Sequence, residues 1–183
     1  GDSSLIPRLE AATTVDVCLR CTSGSFNDLR GAVSCQQCPL GRVFTGAGAS
    51  SVAACIACAV GRFSDDTSSP CTLCGPGRFG VREGAVSDRD GCTGCPAGRF
   101  SGRAGISSSD LCVPCPQGTM SLQTGQTSAE SCGMCPAGTF GSASGQTQCS
   151  PCGAGTWSAS RGLTANAQCS ACPVGRYSSG TGL

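Results

Sequence analysis

The sequence predicts a small disulfide-rich fold: an elongated tandem-repeat rod of short β-hairpin and turn units, with little helix. The chain has 183 residues, of which 18 are cysteine, and such a share is typical of a disulfide scaffold. Leu, Ile, Val and Phe together make up less than the roughly 20% at which chains begin to lack a core, so one large hydrophobic core is excluded. Every cysteine belongs to a Cys-x-x-Cys pair, and the first cysteines recur every 16 to 21 residues. A period sustained in this way indicates repeated units.

The cysteine pairs divide the chain into two regions. Residues 1–17 contain no cysteine and are expected to be a linker or the end of a preceding domain, in which Pro7 limits any helix. Residues 18–183 are expected to form nine tandem repeats of about 19 residues, the last one truncated. The nine pairs are Cys18/Cys21, Cys35/Cys38, Cys55/Cys58, Cys71/Cys74, Cys92/Cys95, Cys112/Cys115, Cys132/Cys135, Cys149/Cys152 and Cys169/Cys172.

Each pair is followed by a glycine and then by a large side chain. The glycine comes three residues after the second cysteine in all nine repeats, and in five repeats a proline precedes it. Because Pro fixes φ and Gly permits a positive φ, this segment is expected to turn the chain. The side chain two residues later is expected to lie on a short extended segment and to cover a disulfide. It is Met120 in one repeat; the aromatic residues expected to pack in this way are Phe26, Phe44, Phe63, Phe79, Phe100, Phe140, Trp157 and Tyr177.

An arginine separates the glycine from the large side chain in five repeats. Alternation along a strand would point this residue outward, so a solvated surface position is the simplest interpretation. A groove for an acidic or glycan partner is the alternative. The arginines are Arg42, Arg62, Arg78, Arg99 and Arg176.

The loops between pairs fall into two length classes. Five loops hold 16 or 17 residues, whereas those after Cys21, Cys58 and Cys135 hold 12 or 13. The long loops carry a Gly-x-Ser/Thr turn, which has one extra residue in the turn that begins at Gly84. The short loops are interpreted as lacking this turn. A hairpin tip of variable length is therefore expected. The glycines of these turns are Gly48, Gly84, Gly105, Gly125 and Gly162.

The repeat Cys-x-x-Cys-Pro-x-Gly-x-Phe-Ser resembles the ephrin-receptor-like cysteine-rich repeat, and is similar to the first half-module of tumour necrosis factor receptor domains. Repeats of this kind occur in receptors, in matrix proteins and in protist and algal flagellar and cell-surface proteins. The resemblance implies that the second cysteine of one pair bonds the first cysteine of the next. The implied bridges are Cys21–Cys35, Cys38–Cys55, Cys58–Cys71, Cys74–Cys92, Cys95–Cys112, Cys115–Cys132, Cys135–Cys149 and Cys152–Cys169.

This pairing leaves Cys18 and Cys172 without partners in the segment. The loop lengths place a partner for Cys172 beyond Leu183, so the chain is expected to be a fragment of a longer array. Cys18 is expected to bond an earlier part of the protein or another chain, or to stay free.

Other uses of the cysteines remain open at this point. A rival pairing joins like positions, for example Cys18 to Cys35 and Cys21 to Cys38. Two successive pairs also match a zinc pattern, although nine pairs cannot all be used two at a time. Thioredoxin-like redox sites are disfavoured because no βαβ pattern surrounds the pairs.

Several function classes are excluded or disfavoured by composition. The chain has no His, all 12 basic residues are arginine, and no grouping of Ser, Asp or Glu resembles a catalytic site, so neither an enzyme nor a cofactor is expected. A net charge of +1 without a basic run argues against nucleic acid, and no stretch is apolar enough to span a membrane. Asp65–Asp66 and Asp88–Gly91 are weak candidates for surface calcium.

The expected function is that of an extracellular, non-enzymatic structural repeat protein. Stacked units that each touch mainly their neighbours would form a stiff rod, which suits a filament subunit of a cell-surface or ciliary appendage of the mastigoneme type. The expected partners are other protein chains, with self-assembly foremost, and Ser/Thr clusters such as Ser107–Ser109 are candidates for O-linked glycans. The alternative is a receptor ectodomain that binds a protein ligand.

The disulfide interpretation makes a prediction about metal and thiols. Native protein is expected to contain no stoichiometric zinc, because its cysteines are expected to be oxidised in pairs. Elemental analysis combined with thiol counting measures both quantities. Stoichiometric zinc together with mostly free thiols would contradict the scaffold.

Overall fold

The computed structural model describes residues 18–183, and the predicted linker at residues 1–17 lies outside them. Within this range sixteen strands form eight two-stranded antiparallel hairpins. Each hairpin pairs the segment after a Pro-x-Gly turn with the two residues between the cysteines of the next pair. The strands are β1 (Ser25–Phe26), β2 (Gln36–Gln37), β3 (Arg42–Val43), β4 (Ile56–Ala57), β5 (Arg62–Phe63), β6 (Thr72–Leu73), β7 (Arg78–Gly80), β8 (Cys92–Gly94), β9 (Arg99–Phe100), β10 (Val113–Pro114), β11 (Thr119–Met120), β12 (Gly133–Met134), β13 (Thr139–Phe140), β14 (Ser150–Pro151), β15 (Thr156–Trp157) and β16 (Ser170–Ala171).

Among residues 18–183, helix is limited to single turns that close the five long loops. The backbone N–H of the following cysteine bonds back into each turn, as Cys112 does to the carbonyl of Ser109 at 3.1 Å. The predicted small disulfide-rich fold of tandem hairpin units with little helix is therefore confirmed. The turns are α1 (Asp88–Gly91) and the 3₁₀ segments Val52–Ala54, Ser109–Leu111, Ala129–Ser131 and Asn166–Gln168.

Disulfides close the hairpins one after another. The second cysteine of each pair is joined to the first cysteine of the next, with Cα–Cα distances between 5.7 Å in Cys21–Cys35 and 6.0 Å in Cys152–Cys169. This is the order that the family resemblance implied, and it leaves Cys18 and Cys172 free. We call the segment that begins at each second cysteine a unit, so that units 1 to 9 begin at Cys21, Cys38, Cys58, Cys74, Cys95, Cys115, Cys135, Cys152 and Cys172.

The hydrophobic core lies between units rather than inside them. Phe63 of unit 3 packs with Ala85 and with the Cys74–Cys92 bridge, all of which belong to unit 4. Phe79 of unit 4 packs in the same way on Ile106 and the bridge of unit 5. Since Phe26, Phe63 and Phe79 each cover the bridge of the following unit, these units cannot bury their own core without a neighbour.

Two of the predicted packing aromatics are not packed. Trp157 is 42% exposed and Tyr177 is 90% exposed, although both occupy the same repeat position as Phe63. For Trp157 the reason is the position of the core, because the unit that would cover its ring begins at Cys172, and Cys172 is free. The ring of Phe44, one residue away from the usual position, is partly buried against the Phe26 cluster.

The interpretation of the short loops was wrong in one respect. Gly145 of unit 7 has φ +76° and donates its N–H to the carbonyl of Cys115 at 2.8 Å, as Gly125 does to Cys95 in the preceding long loop. The turn glycine is therefore present in this short loop. What the described short loops lack is the helical turn before the next cysteine.

The position of the core predicts unequal effects of removing two rings. Replacing Phe63 with alanine is expected to cost roughly 1.5–3 kcal/mol, because the ring is buried against unit 4. The matched variant Tyr177→Ala removes an exposed ring from the same repeat position and is expected to cost almost nothing. Hydrogen exchange of backbone amides measures the loss unit by unit.

For Phe63→Ala, protection should fall in units 3 and 4 and be preserved in unit 8. Equal effects of the two variants would contradict a core between units.

Candidate functional site: the junction between successive units

Three backbone hydrogen bonds join successive units at six of the eight junctions within residues 18–183. At the junction of units 5 and 6, the N–H of Gly98 donates to the carbonyl of Ser121 at 2.9 Å. The N–H of Ser101 donates to Gln126 at 3.0 Å, and the N–H of Gly125 donates back to Cys95 at 2.8 Å. The junction thus uses main-chain groups, which every sequence supplies.

The same bonds recur at other junctions. The N–H of Gly138 donates to Ser158, the N–H of Ser64 donates to Ala85, and the N–H of Gly162 donates to Cys135, at 2.8 to 3.0 Å. A short parallel bridge accompanies the second bond at several places, for example between Phe100 and Gln126. The stack is consequently held by a regular set of polar contacts beside its small apolar core.

The serine after the ring was part of the predicted repeat, but its role was not recognised from the sequence. Ser64, Ser101, Ser121 and Ser158 are all buried. The hydroxyl of Ser101 accepts the N–H of Arg103 at 3.2 Å, and the Ser158 hydroxyl accepts that of Ser160 at 3.1 Å. The side chain therefore turns the chain locally, while the backbone of the same residue makes one bond at each of the two junctions that flank its unit.

In units 1 to 7, the glycine three residues after the second cysteine contacts a unit two positions further on. Gly98 has φ +76°, and a Cβ atom placed on it would overlap the carbonyl oxygen of Gly145 in unit 7. At Gly61 the same added atom would lie 2.5 Å from the carbonyl oxygen of Gly105 in unit 5. Glycine is required here both for its conformation and for close backbone approach. Contacts therefore also join units two positions apart, whereas the sequence predicted contacts mainly between neighbouring units.

Unit 3 solves the same packing problem without a turn glycine. Gly24 of unit 1 approaches the backbone of Thr67 and Ser68, which stand where other units have the turn glycine. The hydroxyl of Thr67 donates to Gln37 Oε1 at 2.7 Å. In unit 5, by contrast, Gly105 is packed closely by the side chain of Leu73. A polar pair therefore replaces the usual glycine contact.

The arginines of the repeat have a structural partner that the sequence analysis did not foresee. Arg99 Nη1 donates to the carbonyl of Cys112 at 2.8 Å, across its own hairpin. Arg42 does the same to Cys55 at 3.0 Å, and Arg62 to Cys71 at 3.3 Å. In units 6 and 7 a threonine takes the position, and Thr119 Oγ1 instead donates to the carbonyl of Pro116 at 2.7 Å. The guanidinium groups thus provide hydrogen-bond donors for the backbone carbonyls of the bridged cysteines.

The carboxylates considered for calcium are engaged within the protein. Asp66 accepts the backbone N–H of Ser68 at 2.9 Å and the hydroxyls of Ser68 and Ser69, and these bonds, the backbone one foremost, hold the pKa of Asp66 below its usual value. Asp88 pairs with Arg78, and Asp90 pairs with Arg82 at 2.7 Å. Within residues 18–183 no group of three His, Cys, Asp or Glu side chains could hold a metal ion.

The surface offers one sizeable concavity. It measures about 710 Å³ and lies beside unit 1, lined by residues that include Cys18, Arg20 and Asn27. Leu19 and Val33 at its wall are almost fully exposed, so the concavity is open to solvent. In the described part of the chain, no helix is both long enough and apolar enough to cross a membrane.

The repeat pattern matches one known protein family. The model of the family described as tyrosine-protein kinase ephrin type A/B receptor-like matches residues 11–55 and 123–169, together half of the chain. No curated protein matches the sequence.

The close approach of the glycines predicts unequal effects of the same substitution at two equivalent positions. Gly98→Ala is expected to cost roughly 1–2 kcal/mol for the positive φ and roughly 1–3 kcal/mol more for the overlap with unit 7. Gly155 has φ +77°, but an added Cβ there meets nothing within 4 Å, so Gly155→Ala should show the conformational cost alone.

Thermal unfolding and hydrogen exchange of both variants provide the measurement. In Gly98→Ala, loss of protection should extend to Gly145 and its neighbours in unit 7. Equal losses for the two variants would mean that the contact over two units contributes nothing.

Proposed function

The chain belongs to the ephrin type A/B receptor-like family of cysteine-rich repeats, and on this premise we propose that it is an extracellular, non-enzymatic rod, a filament subunit of a cell-surface appendage. A ciliary hair of the mastigoneme type is the specific form that we propose. Disulfides persist in oxidising compartments, and eight of them close consecutive units here.

The observation that supports the rod is the regular junction. Hydrogen bonds and glycine contacts link each unit to the next one or two along the chain. Repeats joined in this manner stack in one dimension and do not fold back on one another. Rigidity follows because the junction bonds are made by the backbone, whose groups have few alternative positions.

The distribution of charge supports assembly with other copies. Residues 104–183 carry four charged side chains, namely Asp110, Glu130, Arg161 and Arg176. Exposed apolar groups lie in the same region, including Leu122 at 72% and Met134 at 65%. Low charge reduces repulsion between copies, so this part of the rod is suited to lateral contact.

A receptor ectodomain is the second candidate, and the family's kinship with ephrin receptors favours it. Both candidates place the chain outside the cell or at its surface. They differ in what the exposed side of the rod binds, which is another copy of the chain in a filament and a different protein in a receptor.

The rod makes a prediction about shape in solution. A compact domain of this length would have a radius of gyration of about 16 Å, and the rod is expected to exceed this value clearly in small-angle scattering. A radius close to the compact value would contradict the rod.

Association is tested separately by sedimentation at increasing concentration and in increasing salt. A filament subunit should associate through residues 104–183 with little dependence on salt, because few charges are involved. Introducing arginine at exposed Leu122 and Met134 should weaken association, and the same change at Val52 in the charged half provides the control. A chain that stays monomeric at all concentrations would favour the receptor.

A further inference from the structure

The disulfide ladder defines a covalent route along the array that bypasses most of the chain. A force that enters unit 5 at Cys95 crosses the bridge to Cys112, follows the backbone to Cys115 and then crosses to Cys132. The residues inside each loop, such as 96–111, lie outside this route. The hairpins and junctions can therefore open without the molecule exceeding the length of this route, as long as the bridges hold.

The covalent route has a small maximum length. Between bridges it runs through the two residues that separate paired cysteines, and these residues are strands in the described hairpins, for example Val113–Pro114 and Gly133–Met134. A strand is already close to the full extension of a backbone. Each bridge adds a Cα–Cα span of 5.7 to 6.0 Å. From Cys18 to Cys172 the oxidised route can therefore reach only about 140 Å, whereas the fully reduced chain can reach about 530 Å.

We propose that the array is a tension-bearing tether of limited length, whose extension passes that limit only when a bridge is reduced. This inference rests on the proposed role as a structural rod, to which it adds a mechanical function. The strength of the tether comes from covalent bonds in series, so it does not depend on the small cores between the units. A dithiol is the class of reductant that would release it.

The releasing reaction is a thiol–disulfide exchange. A thiolate of the dithiol attacks one sulfur of the bridge, the bridge S–S bond breaks, and the departing cysteine sulfur takes up a proton. The second thiol of the reagent then displaces the other cysteine, which also becomes a thiol, and the reagent leaves as a cyclic disulfide. Two electrons pass from the dithiol to each bridge.

Each opened bridge should lengthen the molecule by an amount fixed by its loop. The separations range from 13 residues in Cys58–Cys71 to 18 residues in Cys74–Cys92. The corresponding gains are about 40 Å and about 55 Å. The step sizes therefore identify which bridges open.

The test is single-molecule stretching of the full chain, with DNA handles attached to the two free thiols, Cys18 and Cys172. Without reductant, the length between the handles should not exceed about 140 Å at forces that unfold ordinary domains. Adding dithiothreitol under load should produce eight steps of about 40 to 55 Å. A length above the limit in the absence of reductant would overturn the proposal.

A matched pair of variants checks the route itself. Removing the 17-residue bridge with Cys115→Ser and Cys132→Ser should raise the limit by about 52 Å. Removing the 14-residue bridge with Cys135→Ser and Cys149→Ser should raise it by about 43 Å. These lengths are set by covalent bonds, so they hold even if a variant unit does not fold, provided that peptide mapping finds the other bridges in place. Equal gains for the two variants would refute the route.

The stretching experiment and the scattering experiment test the tether and the rod independently. A compact scattering radius together with the length limit would remove the rod and keep the tether. An extended radius together with an oxidised chain that exceeds the length limit would keep the rod and remove the tether.

Discussion

The structure depends on the burial of disulfides by rings from the preceding units. A unit of about twenty residues has too little apolar surface to fold alone, and a bridge closed over such a loop contributes on the order of 3 kcal/mol in the chain-entropy model. The ring of Phe63 shields the Cys74–Cys92 bridge, and the hairpin closed by that bridge in turn supports the turn that contacts the ring. Covalent closure and packing thus require each other, and each unit completes the fold of the one before it.

This dependence explains how much of the fold could be predicted from the sequence. The spacing of the cysteines, the glycine after each pair and the strand that carries the ring are local features, and each of them occurs in the structure. The positive φ of Gly98, for example, follows from its place in a Pro-x-Gly turn. The exposure of Trp157 and Tyr177 could not be predicted from their own repeats, because it depends on which groups of other units lie against these rings.

The features that the sequence analysis missed are those that join parts of the chain distant in sequence. The contact between Gly98 and Gly145 spans two units, and no local pattern indicates it. Gly145 was overlooked because its loop is short, although its distance from the preceding cysteine, Cys135, resembles that of Gly125 from Cys115. The arginine position was predicted to face outward, but the guanidinium of Arg99 reaches back to the Cys112 carbonyl. A long side chain can bend away from the direction in which its Cα–Cβ bond points.

The backbone character of the junctions has an evolutionary consequence. Because one unit recognises the next mainly through N–H and carbonyl groups, almost any unit of the array can follow any other. Whole units can then be gained or lost by unequal recombination without a matching change at the neighbouring unit. The helical turn before the next cysteine, present at Ser109–Leu111 and missing from the short loop that ends at Cys149, can vary in the same manner. Genes for such arrays are therefore expected to differ in copy number among close relatives more readily than in the residues of the ladder.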